Sequence, residues 1–358
     1  MNRLPDPSRA AAAARRADRL VYLRSHPLLF GLLSATRGRP VVRLGRTVLV
    51  HGPDEYRQVL TRVPLDRTAA GTTGGAAAEL TDGGLLFDQE GEEHRTARRG
   101  LADQLGRRGV ERLRPLWQDV LDRELTGIDQ GIDLLPVVRR LAGATAAALT
   151  GSTADPDLLA RAAARAAADA AGDHLPRLLP RRDRAADSAR ALTDLLPDPL
   201  DAMLVVAAVN TTVAALPRAA AWCARARLWD RVSPELAAEL LRLTAPSPIL
   251  PRVAAADATV ADCPIRRGDR LVLVARHAAE AHRDTPADRV RASHAVFGAG
   301  PHACPGAHLA RVQLTDLLTA LAPHHPTVTH AVPDPHAALP GYARLTLRTG
   351  KPAPRQAP

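Results

Sequence analysis

Cys304 is the residue whose surroundings most favour chemistry at a side chain. It lies in a glycine-flanked loop, and a segment with helical apolar periodicity begins directly after it. The free N–H groups and the positive dipole end at the start of a helix are expected to lower the pKa of a thiol. A thiolate at this position could bind a metal ion, and the flanking glycines would let a flat ligand approach the backbone closely.

Two other interpretations of Cys304 stay open on the chemistry of the loop alone. The first is a small buried cysteine that packs without reacting, which is usual for a lone thiol of an intracellular protein. The second is a zinc site formed with His302 and His308. Zinc would want a fourth ligand or a water, and His302 is close enough to Cys304 in sequence to be an awkward partner.

Charged residues upstream of the loop could also carry a function. His94 and Arg98 are four residues apart, so they share one face of a predicted helix, where two donors could bind carboxylates. Glu239 and Arg242 are three apart on another predicted helix and can form an ion pair. Arg252 follows a short strand-like segment. Each of these groups, considered alone, is more simply a solvated surface charge.

A nearly all-apolar segment contains a small group of polar residues. The segment is part of a helix predicted at about 199–216, which Pro217 is expected to end. The polar exceptions are three adjacent side chains, Asn210, Thr211 and Thr212. A buried helix must satisfy such groups, and the simplest way is a hydrogen bond to the preceding turn.

The remaining spacing predicts the elements that position these residues. A hairpin and helix are expected at 40–61, a long Gly-, Thr- and Ala-rich loop at 68–84, and a final helix at 306–322 after the cysteine loop at 297–306. Helical spacing also covers residues 92–127, 133–150 and 156–195. The expected fold is mainly α with a small β-sheet region, and without a repeat or clear linker it forms one domain over 1–358.

Composition narrows the class of protein further. Hydrophobic residues make up 46% of the 358 residues but aromatic residues only 3%, which favours helices over an aromatic-packed sheet. The net charge of +10 comes from scattered arginines without interleaved aromatics, so no nucleic-acid partner is expected. The three cysteines form neither a disulfide framework nor paired zinc spacing, and no run of about 20 apolar residues occurs. A cytoplasmic protein without a membrane anchor is predicted.

The cysteine loop, taken as a whole, resembles the haem-binding signature of the cytochrome P450 family. The matching residues, in order, are Phe297, Gly298, Gly300, His302, Cys304, Gly306, Leu309, Ala310 and Arg311. Three upstream elements also match in order. The Glu239–Arg242 pair resembles the Glu-x-x-Arg element of the family, whereas His94 with Arg98, and separately Arg252, resemble residues that contact the haem propionates.

The resemblance implies the cytochrome P450 fold with heme b, in which Cys304 ligates the iron and His302 hydrogen-bonds a propionate. The implied activity is monooxygenation, the insertion of one oxygen atom from O2 into a small organic substrate, with ferredoxin and ferredoxin reductase as electron donors. Alanine- and arginine-rich relatives often tailor natural products. The substrate is expected against the loop 68–87, residues 203–212 and 248–250, and the turn 339–343.

Two departures from the family pattern leave the reaction open. Asn210 stands where the family has the acid of an acid–alcohol pair, with Thr211 as the alcohol, and an amide cannot release and recapture a proton. Pro305 follows the ligand and has no N–H to offer the sulfur. Arg289 or Arg291 would complete the Glu–Arg network. The alternatives are a haem-thiolate enzyme that uses peroxide or catalyses coupling, dehydration or isomerisation, and a haem-binding sensor without turnover.

Overall fold

The computed structural model describes residues 7–72, 75, 86, 88–173, 185–280 and 289–350, most of them in helices. The helices are α1 (Pro7–Ser25), α2 (Pro27–Thr36), α3 (Pro53–Arg62), α4 (Gly91–Leu105), α5 (Arg107–Glu124), α6 (Leu134–Thr150), α7 (Pro156–Asp173), α8 (Ala185–Thr193), α9 (Pro199–Ala226), α10 (Pro234–Thr244), α11 (Ala275–Glu280), α12 (Arg289–Phe297) and α13 (Ala307–Leu321). The prediction of a mainly α fold is confirmed.

Short strands form three small sheets in the described part of the chain. The strands are β1 (Val41–Leu44), β2 (Thr47–Val50), β3 (Leu65–Asp66), β4 (Ile132–Asp133), β5 (Leu250–Ala254), β6 (Ala258–Val260), β7 (Cys263–Ile265), β8 (Arg270–Leu273), β9 (Thr327–Pro333) and β10 (Tyr342–Arg348). The sheet orders are β1-β2-β8-β5-β3, β4-β10-β9 and β6-β7. In the five-stranded sheet β2 and β8 run parallel, and the other neighbours are antiparallel.

Several predicted elements are present close to their expected bounds. The hairpin and helix at 40–61 correspond to β1, β2 and α3, and the final helix at 306–322 corresponds to α13. The stretch 92–127 is divided into α4 and α5 at Gly106, where an added Cβ would lie 2.4 Å from the Ala102 carbonyl oxygen. Most of the predicted loop 68–84 lies outside the described residues. The single domain over 1–358 stays a prediction.

The predicted end of the apolar helix at about 216 was wrong, because α9 continues through Pro217 to Ala226. A proline inside a helix removes one hydrogen bond and costs about 3 kcal/mol. Every residue from Ala214 to Ala224 is buried. This burial of small apolar side chains offsets the lost hydrogen bond, and it depends on the helices that surround α9.

A buried ion network joins α9 to the N-terminal helix. The Asp18 carboxylate of α1 accepts hydrogen bonds from Arg218 Nε of α9 at 2.8 Å and from Arg276 Nη1 of α11 at 2.8 Å. All three side chains are less than 5% exposed. The network therefore ties the second half of α9 to both neighbouring helices.

Of the helices in the described ranges, only α9 is long and apolar enough to meet the criteria for a membrane span. It packs against α1, α6, α7 and α10. Its apolar composition is explained by this position at the centre of the helical core.

Candidate active site

The cysteine loop is a tight turn closed by backbone hydrogen bonds. The Cys304 N–H donates to the Phe297 carbonyl at 2.7 Å, and the Ala303 N–H donates to the Gly300 carbonyl at 3.1 Å. Gly298 and Gly300 have φ values of +76° and +73°, a region that L side chains rarely adopt. The glycines recognised in the sequence therefore shape the loop directly before α13.

Cys304 lines a cavity within the fold, so its side chain is open to that cavity while the rest of the protein surrounds it. The surrounding protein raises the pKa of this thiol by burial, and the Gly306 N–H and the charges of Arg98 and Arg311 lower it by less. The expectation of a lowered thiol pKa was therefore wrong for the protein alone. That expectation included the effect of the helix N-terminus on the thiol pKa, but not the larger effect of desolvation by the rest of the fold.

The cavity has a volume of about 370 Å³ and brings together most of the predicted site residues. Cys304, Pro305 and Gly306 line one side, and α9 lines it with Ala207, Ala208, Thr211 and Thr212. Phe297 and Gly298 also line it. Among the described residues, no group of three or more His, Cys, Asp or Glu side chains could hold a metal ion, which counts against the zinc site with His302 and His308.

A cluster of basic side chains lines the same cavity. The centroids of the His94 and His302 imidazole rings lie 3.9 Å apart, and Arg98 Nη1 donates a hydrogen bond to the Ala303 carbonyl at 2.6 Å. Within the described residues, Arg252 Nη1 donates to the carbonyl of its neighbour Pro251, and the buried Nε of Arg252 has no hydrogen-bond partner there. All four residues predicted to bind carboxylates therefore meet at one site.

The positive charges of this cluster act on one another. Burial, followed by the charge of Arg67, lowers the pKa of His302 to about 3. Burial and again Arg67 lower the pKa of Arg252 to about 10. Asp66 is the only carboxylic acid among the described residues lining the cavity. The site is thus rich in hydrogen-bond donors and poor in counter-charges, as an anion-binding site would be.

Arg67 is a lining residue that the sequence analysis missed. It is a single arginine at the start of the long loop, without a spacing that would distinguish it from a solvated charge. The signal that reveals it is the pairing of β3 with β5, which joins residues far apart in sequence.

The structure places Asn210 and Thr211 of α9 differently. Thr211 lines the cavity, and its hydroxyl donates to the Ala207 carbonyl at 2.8 Å. Asn210 does not line the cavity. Its amide Nδ2 donates to the Val206 carbonyl at 2.7 Å and to the Ala163 carbonyl of α7 at 3.3 Å. Asn210 therefore connects α9 to α7 on the side away from Cys304.

Glu239 and Arg242 form the expected ion pair. Arg242 Nε donates to Glu239 Oε2 at 2.7 Å, and Arg242 Nη1 donates to the Ala279 carbonyl of α11 at 2.6 Å. The pair thus connects α10 to α11 without lining the cavity. The side chains of Arg289 and Arg291, the candidates for a third member, lie outside the described residues.

The expected substrate contacts are present only in part. Leu204, Val205 and Leu250 line the cavity, as do Thr72 and Leu86 from the loop, while Phe87 lies outside the described residues. The turn 339–343 is not among the lining residues. Its Tyr342 is instead buried and accepts a hydrogen bond at 3.1 Å from Arg225 Nη1 near the C-terminal end of α9. The extension of α9 beyond Pro217 supplies this partner.

Solved structures with a similar fold are known, although comparisons of the sequence find no relative. No family model and no curated protein matches the sequence. Among solved structures, epothilone D-bound cytochrome P450epoK is 20% identical with a TM-score of 0.74, covering 92% of this chain and 98% of its own. A mutant of P450 EryK in complex with erythromycin B is 20% identical with a TM-score of 0.70, covering 96% and 99%. CYP109B1 from Bacillus subtilis is 17% identical with a TM-score of 0.68, covering 90% and 99%.

These likenesses extend over nearly the full length of both chains, although the sequence identities are low. They confirm the fold that the resemblance implied. The chain has the cytochrome P450 fold.

Proposed function

We propose that the chain is a haem-thiolate monooxygenase in which Cys304 would hold the iron of heme b. The observation that carries the proposal is the position of the Cys304 thiol. It opens into a cavity whose lining also includes α9 and the basic cluster. A packed structural cysteine would instead resemble Cys223, which is fully buried and lines no described cavity.

The residues of the cavity fit a haem group. Haem carries two carboxylates, and the site offers the guanidinium groups of Arg98 and Arg252 together with His94 and His302. The unpartnered Nε of Arg252 supports this fit, because a buried donor without a partner costs about 1–3 kcal/mol and an anionic ligand would satisfy it. A thiolate ligand also suits this chemistry, since it favours O–O cleavage at iron.

When bound, haem supplies the redox chemistry with oxygen, and the protein supplies binding and orientation. The Gly306 N–H donates to the Cys304 sulfur and stabilises its thiolate. Pro305 offers no second N–H there. Ala207 and Ala208 keep the α9 wall free of bulky side chains, and Thr211 and Thr212 place alcohol groups along it. The small side chains of Ala207 and Ala208 would leave space for a small molecule, and Thr211 would hold a proton at its Oγ1.

The cavity lining favours an apolar organic substrate. Leu86, Leu204, Val205 and Leu250 present only hydrocarbon, which excludes water and binds apolar surface. Two structures of the same fold contain epothilone D and erythromycin B. For this chain we propose a small organic substrate that is modified during the synthesis of a natural product. That the chain has no nucleic-acid partner stays a prediction.

Electrons would come from a ferredoxin and its reductase. A groove of about 630 Å³ contains Phe297 and Arg311, which belong to the cysteine loop and α13, and also Arg231. Arg242, Glu235 and Glu239 also line this groove, and Arg242 is paired with Glu239. Arg231 and Arg311 would suit an acidic electron donor, because complementary charges steer association. A cytoplasmic location agrees with this proposal and stays a prediction.

The orientation of Asn210 favours a second candidate function. Its amide is used between α9 and α7, so the α9 residues that line the cavity near Thr211 include no acid. A reaction that needs no delivered proton, such as peroxide-dependent oxidation, coupling, dehydration or isomerisation, would suit this wall. A haem-binding sensor remains a third, non-catalytic alternative.

The carbon monoxide difference spectrum of the dithionite-reduced protein tests the haem-thiolate assignment. We expect the long-wavelength Soret band of thiolate ligation in the wild type and its loss in Cys304→Ser. Cys263→Ser is the matched control, because Cys263 is partly exposed but lies outside the cavity. A wild-type spectrum without this band, or its persistence in Cys304→Ser, would refute the assignment.

Turnover assays then separate the candidate reactions. Activity with ferredoxin, reductase and NADPH supports the monooxygenase. Activity with hydrogen peroxide alone supports the second function, and tight ligand binding without turnover by any donor supports the sensor.

A further inference from the structure

Strand pairing places Arg67 beside Arg252. The antiparallel register of β3 and β5 pairs Leu65 with Ala254 and Asp66 with Val253. Arg67 directly follows β3, and Arg252 is the next residue of β5, so the register directs them to neighbouring positions. Both side chains line the cavity that contains Cys304.

The backbone around Arg67 is held at this end of the sheet. The Thr72 hydroxyl donates to the Arg67 carbonyl at 3.2 Å, and the Asp66 carboxylate accepts the Thr68 N–H at 3.0 Å. The Arg67 side chain is 14% exposed. The guanidinium is thus presented to the cavity from a held backbone position.

Arg67 has one carboxylate partner in the described residues. Its Nε donates to Glu90 Oε1 at 3.2 Å, and the Glu90 side chain is 63% exposed. An ion pair with so exposed a carboxylate stabilises weakly. Meanwhile Arg67 adds a third guanidinium to a site that already contains Arg98, Arg252 and two histidines. Like charges gathered in this way need an anion to neutralise them.

We propose that Arg67 is a third guanidinium ligand of the two carboxylates of the bound group, and that Glu90 competes with those carboxylates for it. The assignment rests on the proposed function, since it takes haem as the bound group. It also predicts opposite effects for the two members of one ion pair. Loss of Arg67 weakens carboxylate binding, whereas loss of Glu90 releases Arg67 and strengthens it.

The test measures the rate at which the haem-loaded protein transfers its haem to excess apomyoglobin. Arg67→Gln is expected to release haem about tenfold faster, the effect of losing one hydrogen bond to a charged group. Arg67→Lys keeps the charge without the planar fork and is expected to lie between it and the wild type. Glu90→Gln is expected to release haem more slowly than the wild type.

The same measurement with haem dimethyl ester separates ligand binding from a structural role. The ester has no carboxylates, so Arg67→Gln should release it at the wild-type rate. Equal acceleration for haem and its ester, or faster haem release from both Arg67→Gln and Glu90→Gln, would show that the ion pair only holds the structure together. Unchanged haem release from Arg67→Gln would also overturn the assignment while leaving the haem-thiolate function intact. A wild type that takes up no haem would overturn both proposals.

Discussion

The substitution Asn210→Asp has one expected effect from the sequence pattern of the family and a different one from the structure. The family pattern suggests that an acid at this position would restore a proton relay with Thr211. In the structure, however, the Asn210 amide faces two carbonyl oxygens, at 2.7 Å on Val206 and at 3.3 Å on Ala163. An ionised carboxylate cannot donate to either oxygen and is repelled by both. We therefore expect a less stable protein without an improved proton supply.

The size of the effect follows from the two hydrogen bonds. Each contributes about 1 kcal/mol net, and placing acceptors against acceptors adds a desolvation penalty, so Asn210→Asp should lower the free energy of unfolding by about 2–4 kcal/mol at pH 8. The loss should depend on pH, because the carbonyl surroundings raise the pKa of the introduced carboxyl in the folded state. Stability is then greatest below the unfolded-state pKa of about 4 and falls as the pH rises above it.

Urea unfolding of Asn210→Asp between pH 4 and 8 measures this dependence, with Asn210→Ala as the control. The alanine variant also loses both donated hydrogen bonds, but it has no titratable group, so its smaller loss should not change with pH in this way. Reductase-supported turnover should show no gain in product formed per NADPH for Asn210→Asp. Wild-type stability at pH 8 together with improved coupling would refute the placement of Asn210 between α9 and α7.

Three further substitutions have definite expected outcomes. Asp18→Asn leaves the buried guanidinium group of Arg218 without its carboxylate and leaves Arg276 with Glu280 alone, so it should cost about 3–5 kcal/mol in urea unfolding at pH 7. Burial alone would raise the pKa of Asp18, but the two arginines together hold this pKa below its ordinary value. The stability that Asp18 contributes to the wild type is therefore present above about pH 4 and is lost as the pH falls through the folded-state pKa. Asp18→Asn should lack that acid-dependent loss of stability. Gly298→Ala forces an L residue to a φ of +76° and should cost about 1–2 kcal/mol in the same assay, although its Cβ meets no atom closer than 3.8 Å. Pro305→Leu adds an N–H next to the sulfur and should raise the reduction potential of the haem-loaded protein in a spectroelectrochemical titration; an unchanged or lower potential would contradict this account of the thiolate.

Local sequence was sufficient for the features that depend on nearby residues. The cysteine loop closes between residues seven apart, with its positive φ angles at glycines. The four-residue spacing of His94 and Arg98 and the three-residue spacing of Glu239 and Arg242 are set by one turn of helix. For this reason the shape of the loop and the two pairs could be predicted from spacing, whereas the cytochrome P450 fold was predicted from the resemblance to the family.

Only the tertiary structure decided the features that depend on distant neighbours. Helix α9 passes Pro217 because surrounding helices bury its alanines, and Asn210 turns towards α7 because a carbonyl of that helix accepts its amide. Arg67 reaches Arg252 through a pair of strands that are separated by about half of the chain. The raised pKa of the Cys304 thiol likewise reflects burial by the whole fold. Residue types and spacing thus determined which groups could act, and packing determined which of them face the cavity.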